Sequence, residues 1–414
     1  MQQIGNGKDY IFSATDLVQF LACNHSTVLD LRSFTEKLEE AETPAANVLL
    51  QKKGLEHEAA YLQKLKEQGK TVVEISKDIP LVERARQTKA ALKNGADVVY
   101  QGVFYSHPWR GDADFLVKTE TLSNLGNYGY EVVDTKLSRH PDAKHLIQLC
   151  VYADLLSDIQ GNRPEKVHLV LGNGEKSTFN VDEYFYYYAH AKRRFEEFVA
   201  RPSHDSYPEP CQYCAFCSWK DLCEKQWVQD DHLSLVANIR KSQIDKLKKA
   251  GITSVVKLAA APEQQKVPDL NADVFKRLRS QAMLQRYKMD TGNSKHEMIS
   301  PQEGRGFERL PHPDDGDLFF DMEGDPLHPN GLEYLFGIYY LDHGKYVFQP
   351  FWAHDHDEEK ETFKEFMTFL GKRMVAYPNA HIYHYIFCWL DQYAAAQAKE
   401  AGRISKSASY LLRR

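Results

Sequence analysis

The stretch Glu131-Val-Val-Asp-Thr-Lys136, within the span Tyr130–Lys136, decides how this chain is read. It reads as a strand, and strand side chains alternate with period two, so Asp134 and Lys136 share one face. Upstream, two further strands, Asp97–Phe104 and Ala113–Lys118, flank a turn at Ser106-His-Pro-Trp-Arg-Gly111. The segment Gly111-Asp-Ala-Asp-Phe-Leu116 brings Asp112 and Asp114 into that hairpin. Downstream, a helix over about Pro141–Ser157 carries Gln148 and Tyr152, four apart and therefore on one face. Strands at Lys166–Leu171 and Ser177–Val181 and a long helix at Glu183–Ala200 complete the unit. Its Tyr184–Tyr188 run is expected to pack rather than to stack on bases. Nearer the start, Ser13 and Asp16 form a capping-box pattern before a helix over Leu17–Cys23. A second helix over Ala45–Gln68 carries His57 and Glu58. The expected fold is α/β, a mixed central sheet flanked by helices.

These residue types suit the hydrolysis of a phosphodiester. That reaction needs a water made nucleophilic near neutral pH and a cation to neutralise developing charge, and Mg²⁺ or Mn²⁺ provides both. Hard ions take carboxylate oxygen, with imidazole tolerated by Mn²⁺. Asp114 and Asp134 offer anionic ligands and His57 a third. Lys136 is placed to orient water or offset phosphate charge, and Gln148 and Tyr152 to contact nucleic acid. Taken singly, D-x-K on a strand or a histidine on a helix is a weak signal. The ordered set G-x-x-D, D-x-K and Q-x-x-x-Y is much more specific.

Over roughly residues 10–230 that order resembles the RecB-like PD-(D/E)XK nucleases, whose core is restriction-endonuclease-like. The resemblance implies metal ligation by His57, Asp114 and Asp134, with the Thr135 carbonyl as an extra ligand. It implies Lys136 as the catalytic lysine and Gln148 and Tyr152 as substrate contacts. Asp112 is the rival to Asp114, and Glu58 a candidate outer ligand. DNA, as single strands or ends, is the implied partner, with a role in repair or recombination and a helicase or recombination complex alongside.

Seven cysteines are present, and Cys211, Cys214, Cys217 and Cys223 fall within 13 residues. Such crowding reads as an inorganic site rather than a disulfide framework. Successive x2 spacings look closer to an iron–sulfur loop than to the separated pairs of a zinc site, with zinc left as the alternative. Iron–sulfur members of the same family, of the AddB type, pair one early cysteine with a trailing C-x2-C-x5-C. That resemblance implies a [4Fe-4S] cluster on Cys23, Cys214, Cys217 and Cys223, leaving Cys211 spare. Cys150 is expected to be a small buried side chain.

Beyond Trp227 the character changes. Leu235–Ala261 reads as helix, turn at Gly251, helix, with Ile244, Leu247, Gly251 and Ile252 resembling a helix-hairpin-helix module. Leu318-Phe-Phe-Asp-Met-Glu323 then begins a strand, and its Asp321 and Glu323 resemble the first acidic motif of RNase H-like (DEDD-type) 3′–5′ exonucleases. That domain is expected to be incomplete and inactive, since Ile386–Trp389 and Asp391 do not continue the pattern. The expected domains are 1–230 (nuclease with cluster), 231–300 (helical linker) and 315–414 (partial RNase H-like domain).

The net charge is −6, and its distribution is uneven. Residues 301–360 hold 14 acidic and 4 basic side chains, which leaves the remainder net positive. Val236–Lys288 holds 12 basic against 4 acidic, a pattern able to hold polyanion, though a solvated helical face explains it as well. No stretch has the roughly 20 apolar residues of a membrane span, and Met1–Tyr10 lacks a secretory core. A cytoplasmic protein with no membrane partner is expected. The competing expectation is a non-catalytic nucleic-acid-binding scaffold built around a structural iron–sulfur or zinc centre.

Overall fold

In the computed structural model, residues 1–4, 9–201, 205–328 and 330–384 are described. Contacts divide the chain into two units, Met1–His296 and Glu297–Arg414. The first opens with β1 (Gln2–Ile4), β2 (Asp9–Ile11), α1 (Ala14–Ala22), α2 (Asn24–Ser33), α3 (Ala45–Glu67), β3 (Val72–Glu74) and α4 (Leu81–Lys93). It continues with β4 (Val98–Ser106), β5 (Trp109–Thr119), β6 (Gly129–Thr135), α5 (Ala143–Gln160), β7 (Lys166–Val170), β8 (Lys176–Asn180) and α6 (Asp182–Val199). Helices α7 (Lys220–Gln229), α8 (Lys241–Lys249), α9 (Val255–Ala260) and α10 (Ala272–Thr291) follow.

Strands β3 to β8 form one six-stranded sheet in chain order. The β4, β5 and β6 pairings are antiparallel, while β3–β4 and β6–β7 are parallel, so the sheet is mixed as expected. The pleat divides β6 between two cores. Tyr130 and Val132 join the larger one, with Leu149, Tyr152 and Leu156 of α5 and Phe195 of α6. Val133 joins the other, with Leu62 and Leu65 of α3 and Phe115 of β5. Helix α5 is thus mostly buried, and it is well terminated. Asp142 caps its N-terminus, and Gly161, at φ 78°, closes it in the left-handed conformation glycine adopts most readily. Ser13 and Asp16 make the expected capping box on α1, and the Met1 ammonium reaches the same Asp16 carboxylate.

Sequence reading passed over β1, β2, α2, β3 and α4. The strands are three residues each, and α2 carries almost no apolar periodicity (Asn24-His-Ser-Thr at its start), so local pattern is faint. The packing expected of the tyrosine run holds for Tyr188, which is buried and bonded to Asp154, whereas Tyr186 and Tyr187 are 86% and 61% exposed. Cys150 is buried as expected. Helices α8 to α10 close over Leu233, Ile244, Leu247, Ile252, Leu258 and Phe275, a core of their own. Gly251, at φ 82°, makes the expected turn between α8 and α9.

In the second unit β9 (Leu318–Asp325), β10 (Leu332–Asp342), β11 (Lys345–Trp352), α11 (His356–Ala376) and β12 (Ile382–Tyr383) follow in order. The sheet order is β11-β10-β9-β12, with β12 parallel to β9. Leu318, Phe320, Phe336 and Ile338 pack on Phe366 and Leu370 of α11. Ile386–Trp389, with Cys388, and Asp391 lie outside the described residues. Among the described residues no helix is long and apolar enough to cross a membrane.

Candidate active site

The candidate site forms where β5 and β6 part. Their pairing ends at Phe115 with Val133, so Asp114 and Asp134 lie just beyond the last paired residues. On the other side of β5, the β4 pairing passes from Tyr100–Phe115 to Gly102–Ala113 and leaves Gln101 opposite Asp114 without a ladder bridge. Gln101 has φ 55°, a strained value for a non-glycine residue of the kind found at functional sites. This irregularity lets Asp114 swing over β6, where its Oδ2 accepts the Thr135 N–H and the Thr135 hydroxyl, both at 2.8 Å.

Asp134 is 1% exposed. Its Oδ2 accepts from the Lys136 ammonium, and its Oδ1 has no hydrogen-bond partner. Burial first, and then the adjacent Asp114 carboxylate, raise the Asp134 pKa far above the usual range, against the pull of Lys136. Burial pulls Lys136 down, but Asp134 and Asp114 outweigh it and hold the ammonium above its ordinary value. Glu58 of α3 joins the group. It is buried, accepts a hydrogen bond from Gln101, and is raised by desolvation and then by the charge of Asp114. Asp134 and Glu58, both raised by burial and by the Asp114 charge, and Asp114 itself make three neighbouring carboxylates, one of them with an orphaned oxygen, a donor set that fits a hard divalent cation. Among the described residues, no three His, Cys, Asp or Glu side chains are already closed around a point where an ion would sit.

The remaining expected residues are placed as follows. His57 lies on α3 with its Nε2 3.2 Å from the carbonyl oxygen of Val170, the β7 residue paired with Thr135. It thus borders the site, its ring engaged by backbone. Thr135 touches Asp114 through its N–H and hydroxyl. The rival Asp112 is held by Arg84 at 3.2 Å and Arg110 at 3.7 Å. Gln148 Nε2 donates to the Tyr152 hydroxyl at 2.8 Å, and the Asp134 and Asp114 charges reach Tyr152. Gly111 makes room for that row, because a Cβ there would stand 2.9 Å from the Tyr152 ring.

Two residues escaped sequence reading. Gln101 carries no local signal, since its partner Glu58 lies 43 residues away on α3. His145, in the first turn of α5, is buried and accepts the Asp142 N–H at Nδ1, 3.3 Å away. Burial, and next the Lys136 charge, push it down to about 4, so it is neutral at ordinary pH. Its spacing of three before Gln148 was the available clue.

The cysteines gather at a separate place in the same unit. Cys23, between α1 and α2, shares one pocket with Cys214, Cys217 and Cys223, together with Tyr213 and Trp227. Cys211 Sγ stands beside it, 3.8 Å from Cys214 Sγ. Burial first, and then the neighbouring thiols, push Cys223 up to about 12. Thiols that oppose one another's ionisation need a cationic centre to become thiolates together, so this donor set fits a thiolate-bound metal or cluster. In the second unit, Asp321 and Glu323 lie on one exposed face of β9.

Residues 318–387 match the profile of RNase_H_2, of the RNase_H superfamily. No curated protein matches the chain. A nuclease-type function therefore rests on the second unit's similarity, over about a sixth of the chain.

Proposed function

We propose that this chain is a Mg²⁺- or Mn²⁺-dependent DNA nuclease whose chemistry lies in the first unit, on Asp114, Asp134 and Lys136. The observation that carries this reading is the buried, partnerless Oδ1 of Asp134 beside a second carboxylate and an ammonium group. An unpaired buried carboxylate oxygen is costly in a closed fold, and function is a common reason for keeping one. Asp114, Asp134 and Glu58 would hold the ion, with His57 and the Thr135 carbonyl at the border as further ligands. When bound, the ion acidifies water and offsets charge on the phosphate. Lys136, held by Asp134, keeps its proton and presents a cation to the substrate phosphate or the attacking water. Gln148 and Tyr152, bonded to each other, position the strand.

Single strands or ends, a part in DNA repair or recombination, a helicase or recombination partner and a cytoplasmic setting are supported by the motif resemblance. The RNase_H_2 match supports nucleic acid as the substrate class. A [4Fe-4S] cluster on Cys23, Cys214, Cys217 and Cys223 is supported by the pocket those four side chains line, with zinc the alternative. Such a centre would close a loop of about 200 residues and act structurally.

Cleavage of 5′-labelled single-stranded DNA in Mn²⁺ by anaerobically purified protein tests the assignment. Lys136→Ala is expected to slow it by at least about a hundredfold. Cleavage that survives Lys136→Ala but is lost in Asp321→Asn would move the chemistry to the second unit and overturn the assignment. A wild type that binds DNA without cutting leaves the scaffold reading.

A further inference from the structure

The site has one buried imidazole with no role assigned. His145, Gln148 and Tyr152 lie at i, i+3 and i+7 on α5, so they form one stripe along the helix, with His145 at its N-terminal end. Gln148 and Tyr152 are joined by a hydrogen bond, and Asp134 and Asp114 act on Tyr152. Burial, and after it the Lys136 charge, act on His145. The Asp142 N–H donates to its Nδ1, which fixes that nitrogen as the acceptor and places the ring proton on Nε2. No side chain or backbone group among the described residues is bonded to that Nε2. A neutral N–H donor, held by a helix cap, therefore stands at the head of the Gln148–Tyr152 row, where the Lys136 charge reaches it.

We infer that His145 is a further substrate-contacting residue, donating Nε2–H to a backbone phosphate oxygen of single-stranded DNA on the Lys136 side of the Gln148–Tyr152 pair. This rests on the nuclease site proposed above. Its chemistry is that of a phosphate contact: it positions the strand and carries no base preference. Held neutral, the ring adds a donor without adding charge, so it contributes little to the salt dependence of binding.

The test uses the full chain and a fluorescein-labelled oligothymidylate. Fluorescence anisotropy is measured in EDTA, where nothing is cut, and cleavage is measured in Mn²⁺. His145→Ala is expected to weaken binding on the order of tenfold, the worth of a hydrogen bond to a charged group. It should raise KM with little change in kcat. His145→Gln, which keeps an amide donor and the residue type favoured at this capping position, should restore most of the affinity. The salt dependence of binding should be the same in all three proteins. A purely structural role would leave His145→Gln and wild type alike but would not raise the KM of a folded His145→Ala protein, whose fold is checked by its melting curve. Wild-type affinity in His145→Ala, with cleavage still lost in Lys136→Ala, overturns the His145 role and leaves the site standing. Cleavage indifferent to Lys136→Ala overturns the site and the inference together.

Discussion

Replacing Gly111 by alanine should destabilise the first unit and disturb the substrate row, whereas the same change at Gly54 should stabilise it. A Cβ at Gly111 would meet the Tyr152 ring at 2.9 Å, Leu155 Cδ1 at 3.0 Å and Phe104 Cδ2 at 3.2 Å. All three neighbours are interior and belong to the larger core, so none can swing into solvent. Overpacking of this kind costs about 1–3 kcal/mol. At Gly54, inside α3, a Cβ meets nothing within 4 Å. There alanine gains about 0.5–1 kcal/mol through helix propensity and a less flexible unfolded chain. The two variants should move the midpoint of chemical denaturation in opposite directions at an unchanged slope. Because the overpacked atom is the ring of Tyr152, Gly111→Ala should also weaken oligonucleotide binding, and Gly54→Ala should not. If both variants melt like wild type, the contact of β5 with α5 drawn above is wrong, and with it the placement of Tyr152.

Glu58→Gln tests the electrostatics of the site. Its carboxyl is raised in the folded state by burial and by Asp114, so the fold binds more protons than the unfolded chain above the ordinary carboxylate pKa. Wild-type stability from this group is therefore lost as pH rises through that window, and the neutral amide escapes the loss. Melting curves should show Glu58→Gln gaining on wild type as pH rises above the ordinary carboxylate value of about 4; a constant difference counts against the shift. Cys23→Ser or Cys217→Ser should strip bound iron from anaerobically purified protein, whereas Cys211→Ser should retain it, since the family spacing leaves Cys211 spare although its Sγ lies 3.8 Å from that of Cys214. The reverse pattern refutes the ligand set. Trp219→Phe removes the 2.7 Å hydrogen bond from the indole to Asp30, a carboxylate already raised by burial. The expected cost is about 1–3 kcal/mol by denaturant titration, and a neutral effect would show that Asp30 finds water instead.

Much of the site could be read from the chain alone because its parts lie on short periodic elements. The two-residue step from Asp134 to Lys136 and the four-residue step from Gln148 to Tyr152 are dictated by strand and helix geometry, whatever the fold around them. The cysteine spacings likewise point locally to the proposed inorganic centre, since three of the four pocket cysteines lie on one short segment. Relations between segments far apart in sequence were beyond that reach. Only the sheet order brings Asp114 to Asp134, and only the break in β4–β5 pairing frees it to accept from Thr135. The same break sets Gln101 against Glu58, 43 residues away, and packing of α5 on β6 brings the charge of Lys136 to bear on His145. Burial decided the rest. It separates Asp134, which keeps an unpartnered oxygen, from Asp112, which is spent on two arginines, although both read as acids on strands. Proton affinity and ion-binding capacity follow from the surrounding dielectric and the nearest charges, and these exist only once the chain has folded.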